Sequence, residues 1–192
     1  VDLGIVGDAR AVLTALVAAV KRRTEPRQEH ERFEQYREMS REWREQNQVS
    51  LHSEEGQINP GRMVQAVRDF FPREAITVMD GGNTSLWTAT FNPIYSPRSY
   101  LYTAKFGHLG TGLPYAIGAK LVAPDRPVYC VSGDSAFGFN MQELETAVRL
   151  NTPVITIVAV DGAYGMEKSA QRRVFGREAP WFHHDHAPVR YD

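Results

Sequence analysis

Two short apolar runs, each rich in β-branched residues, constrain the fold of this chain more than any other feature. The first reads VYCVSGDSA from Val128, and the second reads VITIVAVDGAYG from Val154. Each run stops at an aspartate beside a glycine. Strands that are apolar on both faces and alternate with helices are typical of a parallel sheet covered on each side. We therefore predict an α/β fold: a parallel sheet flanked by helices on both faces.

Other segments of the chain fit the same alternation. Strands are predicted at 75–79, 128–131 and 154–160, and helices at Pro60–Phe70, 113–121 and 140–150. In the last of these helices Asn140 is the expected N-cap, with Glu143 three residues further on as in a capping box. Residues 3–6 predict one more strand, and Asp8 is placed to cap a helix that follows it.

The composition divides the chain into three predicted parts. A strand and a helix at 1–20 cannot bury themselves, so we interpret them as the end of a domain that lies mostly outside this chain. Residues 21–56 are dense in both charge signs and predict a solvated connecting helix with one apolar stripe. Residues 57–192 form the α/β domain, which we expect to be incomplete at its C-terminus.

The overall composition argues against several classes of protein. With 22 Lys and Arg against 23 Asp and Glu, the net charge of −1 gives no reason to expect nucleic acid or an anionic membrane as a partner. No apolar stretch reaches the roughly 20 residues that span a bilayer, and we expect no secretory leader. The single cysteine, Cys130, lies inside an apolar run and predicts a buried thiol. We therefore predict a cytoplasmic protein.

The spacing of the two aspartates predicts a site for a cation. Asp134 and Asp161 are 161 − 134 = 27 positions apart, about the length of a βαβ unit. Such a unit returns the chain to a neighbouring parallel strand and places the two carboxylates side by side. Because like charges at that distance repel, we expect a shared proton or a cation between them, and Mg²⁺ prefers such oxygen ligands. The alternative is that both aspartates only cap turns.

A third predicted strand ends in the glycine-rich cluster DGGNT, which begins at Asp80. Glycines let backbone N–H groups approach a diphosphate closely, and the N-terminus of a helix adds a positive dipole end. In an open parallel sheet, ligands collect beyond the carboxyl ends of the strands. The three strand ends together therefore favour a site for a diphosphate and a metal ion.

At these residues the chain resembles a known family. Gly133-Asp134-Ser135, followed by Asp161, is similar to the cofactor motif of thiamine-diphosphate (ThDP) enzymes, in which Gly-Asp-Gly or Gly-Asp-Ser/Ala is followed by Asn-Asn or a variant. The resemblance is to the branch of acetolactate synthases, 2-oxo-acid decarboxylases and 2-hydroxyacyl-CoA lyases, which includes oxalyl-CoA decarboxylase. It implies that 57–192 is a pyrophosphate-binding domain and that 1–20 ends the family's middle domain.

The resemblance assigns expected roles to individual residues. Asp134, Asp161 and the backbone carbonyl of Ala163 would bind Mg²⁺. Leu109 would be the apolar wedge that bends the cofactor, while the Gly107 carbonyl accepts from its 4′-amino group. The other residues expected to contact ThDP are Gly81, Gly82, Asn83, Thr84, His108, Gly133, Ser135, Ala136, Tyr164, Gly165 and Met166.

The chain departs from the family pattern in two respects. The Asn-Asn pair reads Val160-Asp161, so the metal would meet two carboxylates. No segment resembles the pyrimidine-binding domain, whose glutamate activates the cofactor across the subunit interface in this family. We therefore expect a piece of a longer polypeptide, inactive by itself, with the catalytic glutamate outside these residues. The whole enzyme is expected to be a homodimer or homotetramer.

The resemblance leaves the reaction open. The wording GDSAFGF from Gly133 is similar to that of the lyases and favours cleavage of a 2-hydroxyacyl-CoA into a carbonyl compound and formyl-CoA. Residues 106–114 are more similar to acetolactate synthase, which makes a carboligase or decarboxylase acting on 2-oxo acids the alternative.

The sequence also allows two alternative functions, and two further motifs have more than one interpretation. GHLGTG from Gly107 is similar to a dinucleotide fingerprint, so an NAD(P)-dependent dehydrogenase is a rival, although it explains neither Asp161 nor DGGNT. A non-catalytic homologue with the same fold is the other. WFHHDH at 181–186 predicts a surface or substrate-channel loop rather than a metal site. Arg172 and Arg173 either meet an anionic substrate or lie in a solvated turn.

Overall fold

A computed structural model describes residues 3–23, 31–52, 56–103, 105–176 and 184–191 of the chain. The chain divides into two compact units, Val1–Val49 and Ser50–Asp192. The helices are α1 (Ala9–Arg23), α2 (Glu31–Leu51), α3 (Pro60–Phe70), α4 (Asn83–Phe91), α5 (Gly112–Val122), α6 (Asp134–Asn140), α7 (Glu143–Arg149) and α8 (Gly165–Phe175). The strands are β1 (Ile76–Asp80), β2 (Tyr100–Leu101), β3 (Val128–Gly133) and β4 (Ile155–Ala159).

In the first unit, the predicted cap of α1 is confirmed, and the predicted strand before it is wrong. The Asp8 carboxylate accepts a hydrogen bond of 2.9 Å from the Ala11 N–H. Residues 3–6 are not a strand, because a lone strand has no neighbour to pair its backbone groups. Helix α1 buries none of its residues.

Helix α2 covers Glu31–Leu51 of the segment 21–56 and is rich in charged residues, as predicted for this part of the segment. Exposed ion pairs three positions apart, Glu34 with Arg37 and Glu38 with Arg41, lie along it. Such pairs support a helix only weakly, because solvent screens them. Its apolar stripe is between 42% and 62% exposed and consists of Phe33, Tyr36, Met39 and Trp43.

The second unit is built on a four-stranded sheet with the order β2-β1-β3-β4. Every pairing between neighbouring strands is parallel. Helices cover both faces: α3 and α4 contribute to the core on one face, and α5 contributes to the core on the other. The predicted fold class is therefore confirmed.

Strand β3 shows how the two cores are separated. Tyr129 and Val131 point into one core with Val64 of α3, whereas Val128 and Cys130 point into the other with Ala116 of α5. All four strand side chains are at most 2% exposed. Burial of each of the two valines stabilises the fold by roughly 1.5–3 kcal/mol. The predicted burial of Cys130 is confirmed.

The helix predicted at 140–150 is wrong in its start. Asn140 ends α6, a helix that begins directly after β3 at Asp134, and α7 starts only at Glu143. Asn140 is not a cap, because Gln142 holds the N-cap position of α7 and the Asn140 Oδ1 accepts from the Gln142 side chain. The Asn140 Nδ2 donates to a different loop, at the carbonyl of Gly110. Sequence reasoning also missed α4, because that helix buries Ser85 and Thr88 beside Phe91 and so lacks an apolar period.

None of the described helices is both long enough and apolar enough to cross a lipid bilayer.

Candidate functional site

The carboxyl ends of β1, β3 and β4 meet at one edge of the sheet. Asp80, the last residue of β1, is in register with Ser132, and Gly133, the last residue of β3, is in register with Ala159. The segments that follow these strands therefore enter one region, where ligands of open parallel sheets collect. The prediction that Asp134 and Asp161 follow neighbouring parallel strands is confirmed.

The two aspartates bind the same turn through their side chains. Asp134 is 2% exposed, and its Oδ2 accepts a hydrogen bond of 2.8 Å from the Gly162 N–H. Its Oδ1 accepts one of 2.7 Å from the Ser135 N–H. Asp161 is exposed, and its Oδ1 accepts one of 3.2 Å from the Ala163 N–H. The turn at 161–163 thus joins both carboxylates.

Glycines line this region because there is no room for a side chain. A Cβ on Gly165 would lie 2.5 Å from Asp161 Oδ2, and one on Gly82 would lie 2.8 Å from the Cβ of Met166. Gly81 also has a φ of +105°, which side-chain-bearing residues rarely adopt. The backbone is therefore bare where it approaches the space between the strand ends.

One cleft, open to solvent, collects most of the residues predicted for the cofactor. Gly107 and His108 are not among the residues that line it. Glu167, which the sequence reasoning did not single out, does line it. The predicted residues that line the cleft are Gly81, Gly82, Asn83, Thr84, Leu109, Gly133, Asp134, Ser135, Ala136, Asp161, Ala163, Tyr164, Gly165 and Met166.

The donor groups of this cleft fit a magnesium diphosphate. Carboxylate and carbonyl oxygens are the hard ligands that Mg²⁺ takes, with phosphate oxygens and water completing its shell. Helices α4 and α8 begin at the cleft, so their first-turn N–H groups lie there too. The described residues contain no cluster of three His, Cys, Asp or Glu side chains, so a metal here needs a backbone carbonyl and the ligand's own oxygens. The Ala163 carbonyl accepts from Ser135 Oγ at 2.9 Å.

Asp80 lies beneath the cleft and is 2% exposed. Burial raises the pKa of its carboxyl, and the N–H groups of Gly112 and Gly81 oppose that shift by stabilising the charged form. The hydrogen bonds measure 2.6 Å from Gly112 and 2.8 Å from Gly81. Asp80 thus connects two segments that were both predicted to hold the cofactor.

The segment at 184–191 brings an unforeseen residue, His186, beside the cleft, where it lines an adjoining pocket with Asp134, Ser135 and Tyr164. It pairs with the turn after β4, since the Tyr164 N–H donates to the His184 carbonyl and the His186 N–H donates to Gly162. The His186 Nε2 lies 2.7 Å from Ser135 Oγ. No sequence pattern distinguishes His186 from its neighbours; Trp181, Phe182 and His183 of the same motif lie outside the described residues.

The fold and the cleft define a class of protein: a parallel α/β domain whose carboxyl edge is shaped for a diphosphate and a divalent cation. Residues 80–191 match the family described as "Thiamine pyrophosphate enzyme, C-terminal TPP binding domain". The match covers more than half of the chain, and the chain belongs to this family of enzymes. Its cofactor is therefore ThDP with Mg²⁺, which overturns the dinucleotide alternative.

Known proteins similar to this chain are larger members of the same family. The chain is 27% identical over 174 residues to the acetolactate synthase isozyme 3 large subunit of Escherichia coli, covering 91% of the chain and 30% of that protein. It is 30% identical over 175 residues to the acetolactate synthase large subunit of Porphyra purpurea, with 91% and 29% covered.

A solved structure gives the same result. The ThDP-dependent 4-hydroxybenzoylformate decarboxylase of Rhodococcus jostii superimposes with a TM-score of 0.64 at 29% identity, covering 72% of the chain and 26% of that enzyme. The chain thus spans about 30% or less of the length of these proteins. The predicted branch grouped acetolactate synthases and 2-oxo-acid decarboxylases with 2-hydroxyacyl-CoA lyases, and it is confirmed through its acetolactate synthase and decarboxylase members.

Proposed function

We propose that the full-length protein is a ThDP- and Mg²⁺-dependent enzyme that breaks or forms a carbon–carbon bond next to the carbonyl of a 2-oxo acid. The observation that carries the proposal is the hydrogen bond between the Asp134 carboxylate and the Gly162 N–H, which joins the ends of two neighbouring strands. This bond holds the oxygen-rich turn at 161–163 beside the glycine-containing junction between β3 and α6. A metal diphosphate needs oxygen ligands for the metal and accessible backbone N–H groups for the phosphates.

In this proposal, the diphosphate end of the cofactor is held by oxygen ligands and bare backbone. Asp134, Asp161 and the Ala163 carbonyl bind Mg²⁺, and the segments at 81–84 and 133–136 contact the diphosphate oxygens. Ser135 donates to the Ala163 carbonyl at 2.9 Å and thereby orients that ligand. When bound, ThDP supplies a nucleophilic carbon and an electron sink for the substrate's carbonyl group.

Apolar side chains of this chain have the role of excluding water. Leu109 and Met166 line the cleft from different segments, and Tyr164 lies beside them. We propose that Leu109 supports the bend of the cofactor, while Met166 and Tyr164 keep the reacting carbon dry. Gly107 and His108 are proposed to meet the aminopyrimidine, although they lie outside the lining of the cleft.

Two substrate classes remain distinct proposals. The similarity to acetolactate synthases over 91% of the chain supports a 2-oxo acid that is decarboxylated and joined to a second carbonyl compound. The GDSAFGF wording from Gly133 supports the second candidate, a 2-hydroxyacyl-CoA lyase that releases formyl-CoA. We place the 2-oxo acid first because its support extends over most of the chain rather than over one motif.

The activating glutamate is proposed to come from a pyrimidine-binding domain of a second subunit. The protein is accordingly proposed to act as a homodimer or homotetramer, as is general for enzymes whose sites are shared between copies. A shift to monomers on dilution, without loss of turnover, would contradict this part of the proposal.

The test of the proposed function uses the full-length protein with ThDP and Mg²⁺. It is supplied in parallel with a panel of 2-oxo acids and a panel of 2-hydroxyacyl-CoAs, and the products are read by mass spectrometry. Release of CO₂ with an acyloin or aldehyde supports the first candidate, and release of formyl-CoA supports the second. If neither panel is consumed while ThDP is bound, both candidates are wrong.

A further inference from the structure

The loop Gly107–Gly112, hereafter the pyrimidine loop, is held from two sides by side chains that belong to other elements. The Gly112 N–H donates to Asp80 Oδ2 at 2.6 Å, from the end of β1. The Asn140 Nδ2 donates to the Gly110 carbonyl at 2.6 Å, from the end of α6. The two hydrogen bonds therefore hold Gly110 and Gly112, which follow Leu109. Leu109 is the residue of this loop that lines the cleft.

Asp80 packs closely against Gly112, the last residue of the pyrimidine loop. A Cβ on Gly112 would lie 2.8 Å from the Asp80 Cβ and 2.7 Å from the Sγ of Cys130, so this glycine is seated directly on the sheet. The other Asp80 oxygen accepts from Gly81. One buried carboxylate therefore sets the distance between the pyrimidine loop and the first glycine of the diphosphate end.

Asn140 connects the same loop to the metal end of the cleft. It is the last residue of α6, and the first residue of that helix is Asp134. A Cβ on Gly110 would lie 2.7 Å from the Phe139 Cβ and 2.9 Å from Asn140 Nδ2, and Gly110 has a φ of +92°. The end of α6 is thus in van der Waals contact with the loop, and the short helix acts as a spacer.

We propose that Asp80 and Asn140 are positioning residues that set the height of Leu109, and so of the aminopyrimidine half of ThDP, relative to the diphosphate half. Neither side chain lines the cleft itself, so both act through the loop. The inference rests on the proposed cofactor site, and it assigns the two halves of the cofactor to different supports. The diphosphate half is contacted directly by the segments at 81–84 and 133–136, whereas the loop proposed for the aminopyrimidine half is held by Asp80 and Asn140, which do not line the cleft.

The test compares two probes on the full-length protein by isothermal titration calorimetry in saturating Mg²⁺: ThDP and inorganic pyrophosphate. Asn140→Ala removes the contact to the pyrimidine loop, together with a 3.3 Å hydrogen bond that Asn140 Oδ1 accepts from the exposed Gln142 side chain. We expect it to weaken ThDP binding about tenfold while pyrophosphate binding stays within about twofold. Asp80→Asn retains the shape but offers one acceptor to two N–H groups, and we expect it too to weaken ThDP more than pyrophosphate.

Asn92→Ala is the matched control, because Asn92 is a buried amide whose partners, Tyr129 and Thr77, lie inside the sheet core. It should lower the melting temperature and leave the ratio of the two dissociation constants at the wild-type value. If Asn140→Ala folds and the ratio of the two dissociation constants is unchanged, because neither probe or both probes equally bind more weakly, the positioning role is wrong. The cofactor site then still stands. If the wild-type protein binds neither probe, the proposed function itself fails, and this inference with it.

Discussion

The two ends of the cleft are built by different means. At the diphosphate end, glycines and carboxylates within short motifs make the contacts, and Asp134 and Asp161 bind N–H groups of a single turn. At the other end, the pyrimidine loop is held by Asp80 and Asn140, which lie 32 and 30 positions from their partners. The ends do not differ in sequence separation, since Asp134 and Gly162 are 28 positions apart. They differ in that the diphosphate end joins two recognisable motifs, whereas the pyrimidine loop is held by side chains that no motif assigned to it.

The strongest way to break the diphosphate end is Asp134→Ala. It removes a proposed Mg²⁺ ligand and also leaves the Gly162 N–H without its acceptor. We expect the affinity for ThDP in the presence of Mg²⁺ to fall at least about 100-fold, measured by calorimetry. Asp125→Ala, at an exposed aspartate, is the control and should bind like the wild type. Unchanged affinity in Asp134→Ala would remove the basis of the metal site.

Replacement of a glycine by alanine should impair ThDP binding where the glycine shapes the cleft and leave it unchanged elsewhere. In Gly165→Ala the new Cβ would lie 2.5 Å from Asp161 Oδ2 and must displace that carboxylate. We expect a loss of about tenfold in Mg²⁺-dependent ThDP binding.

Gly118→Ala is the matched control for that substitution, because nothing lies within 4 Å of its Cβ position in α5. It should bind ThDP normally and raise stability by roughly 0.5–1 kcal/mol in thermal unfolding, since alanine favours a helix. Equal binding losses in the two variants would contradict the steric argument.

Asp161→Asn tests the departure from the family pattern. The amide keeps one oxygen for the metal but removes a negative charge, so we expect the Mg²⁺ concentration for half-saturation to rise about threefold to fivefold at fixed ThDP. A decrease in that concentration would mean that the second carboxylate repels the diphosphate more than it attracts the metal. The measurement is a Mg²⁺ titration of ThDP binding, with Asp125→Asn as control.

The pH dependence of stability tests the environment of Asp80, the buried carboxylate that holds the pyrimidine loop. Burial raises the folded-state pKa of Asp80 above its ordinary value of 3.8. Between the two pKa values the folded protein binds more protons than the unfolded chain, so the stabilisation present below the unfolded pKa is lost as pH rises through the folded pKa. The free energy of unfolding of the wild type should therefore decrease relative to Asp80→Asn over that range. Chemical denaturation at several pH values measures the difference, and a difference of the opposite slope would contradict burial as the dominant cause.

The smallest expected effect is in the reactivity of Cys130. This thiol is fully buried, lies under Gly112, and has its pKa raised by desolvation, so the folded protein should react with a thiol reagent far more slowly than the unfolded protein. If Asn140 holds the pyrimidine loop, Asn140→Ala should accelerate labelling modestly, because local opening exposes the thiol. Labelling at the wild-type rate would indicate that the loop stays closed without that contact.

Much of the diphosphate end was predictable because its contacts join two recognisable motifs at the spacing of one βαβ unit. The period of the apolar runs indicated strands covered on both faces, and the 27-residue spacing placed Asp134 and Asp161 on neighbouring strands. The capping role predicted for Asn140 was wrong. A capping box is a local pattern, whereas the actual acceptor, Gly110, lies 30 positions away.

The sequence by itself determined the fold class, the family and the motif that shapes the diphosphate end, because apolar period, glycine content and residue spacing act within one βαβ unit. Only the tertiary structure decided that Asp80 binds the pyrimidine loop and that His186 contacts Ser135, 51 positions away, beside the cleft. The physical reason is that such contacts depend on how separate segments pack against the sheet. A buried carboxylate is stabilised by whichever N–H groups the packing brings to it, and no local pattern names them.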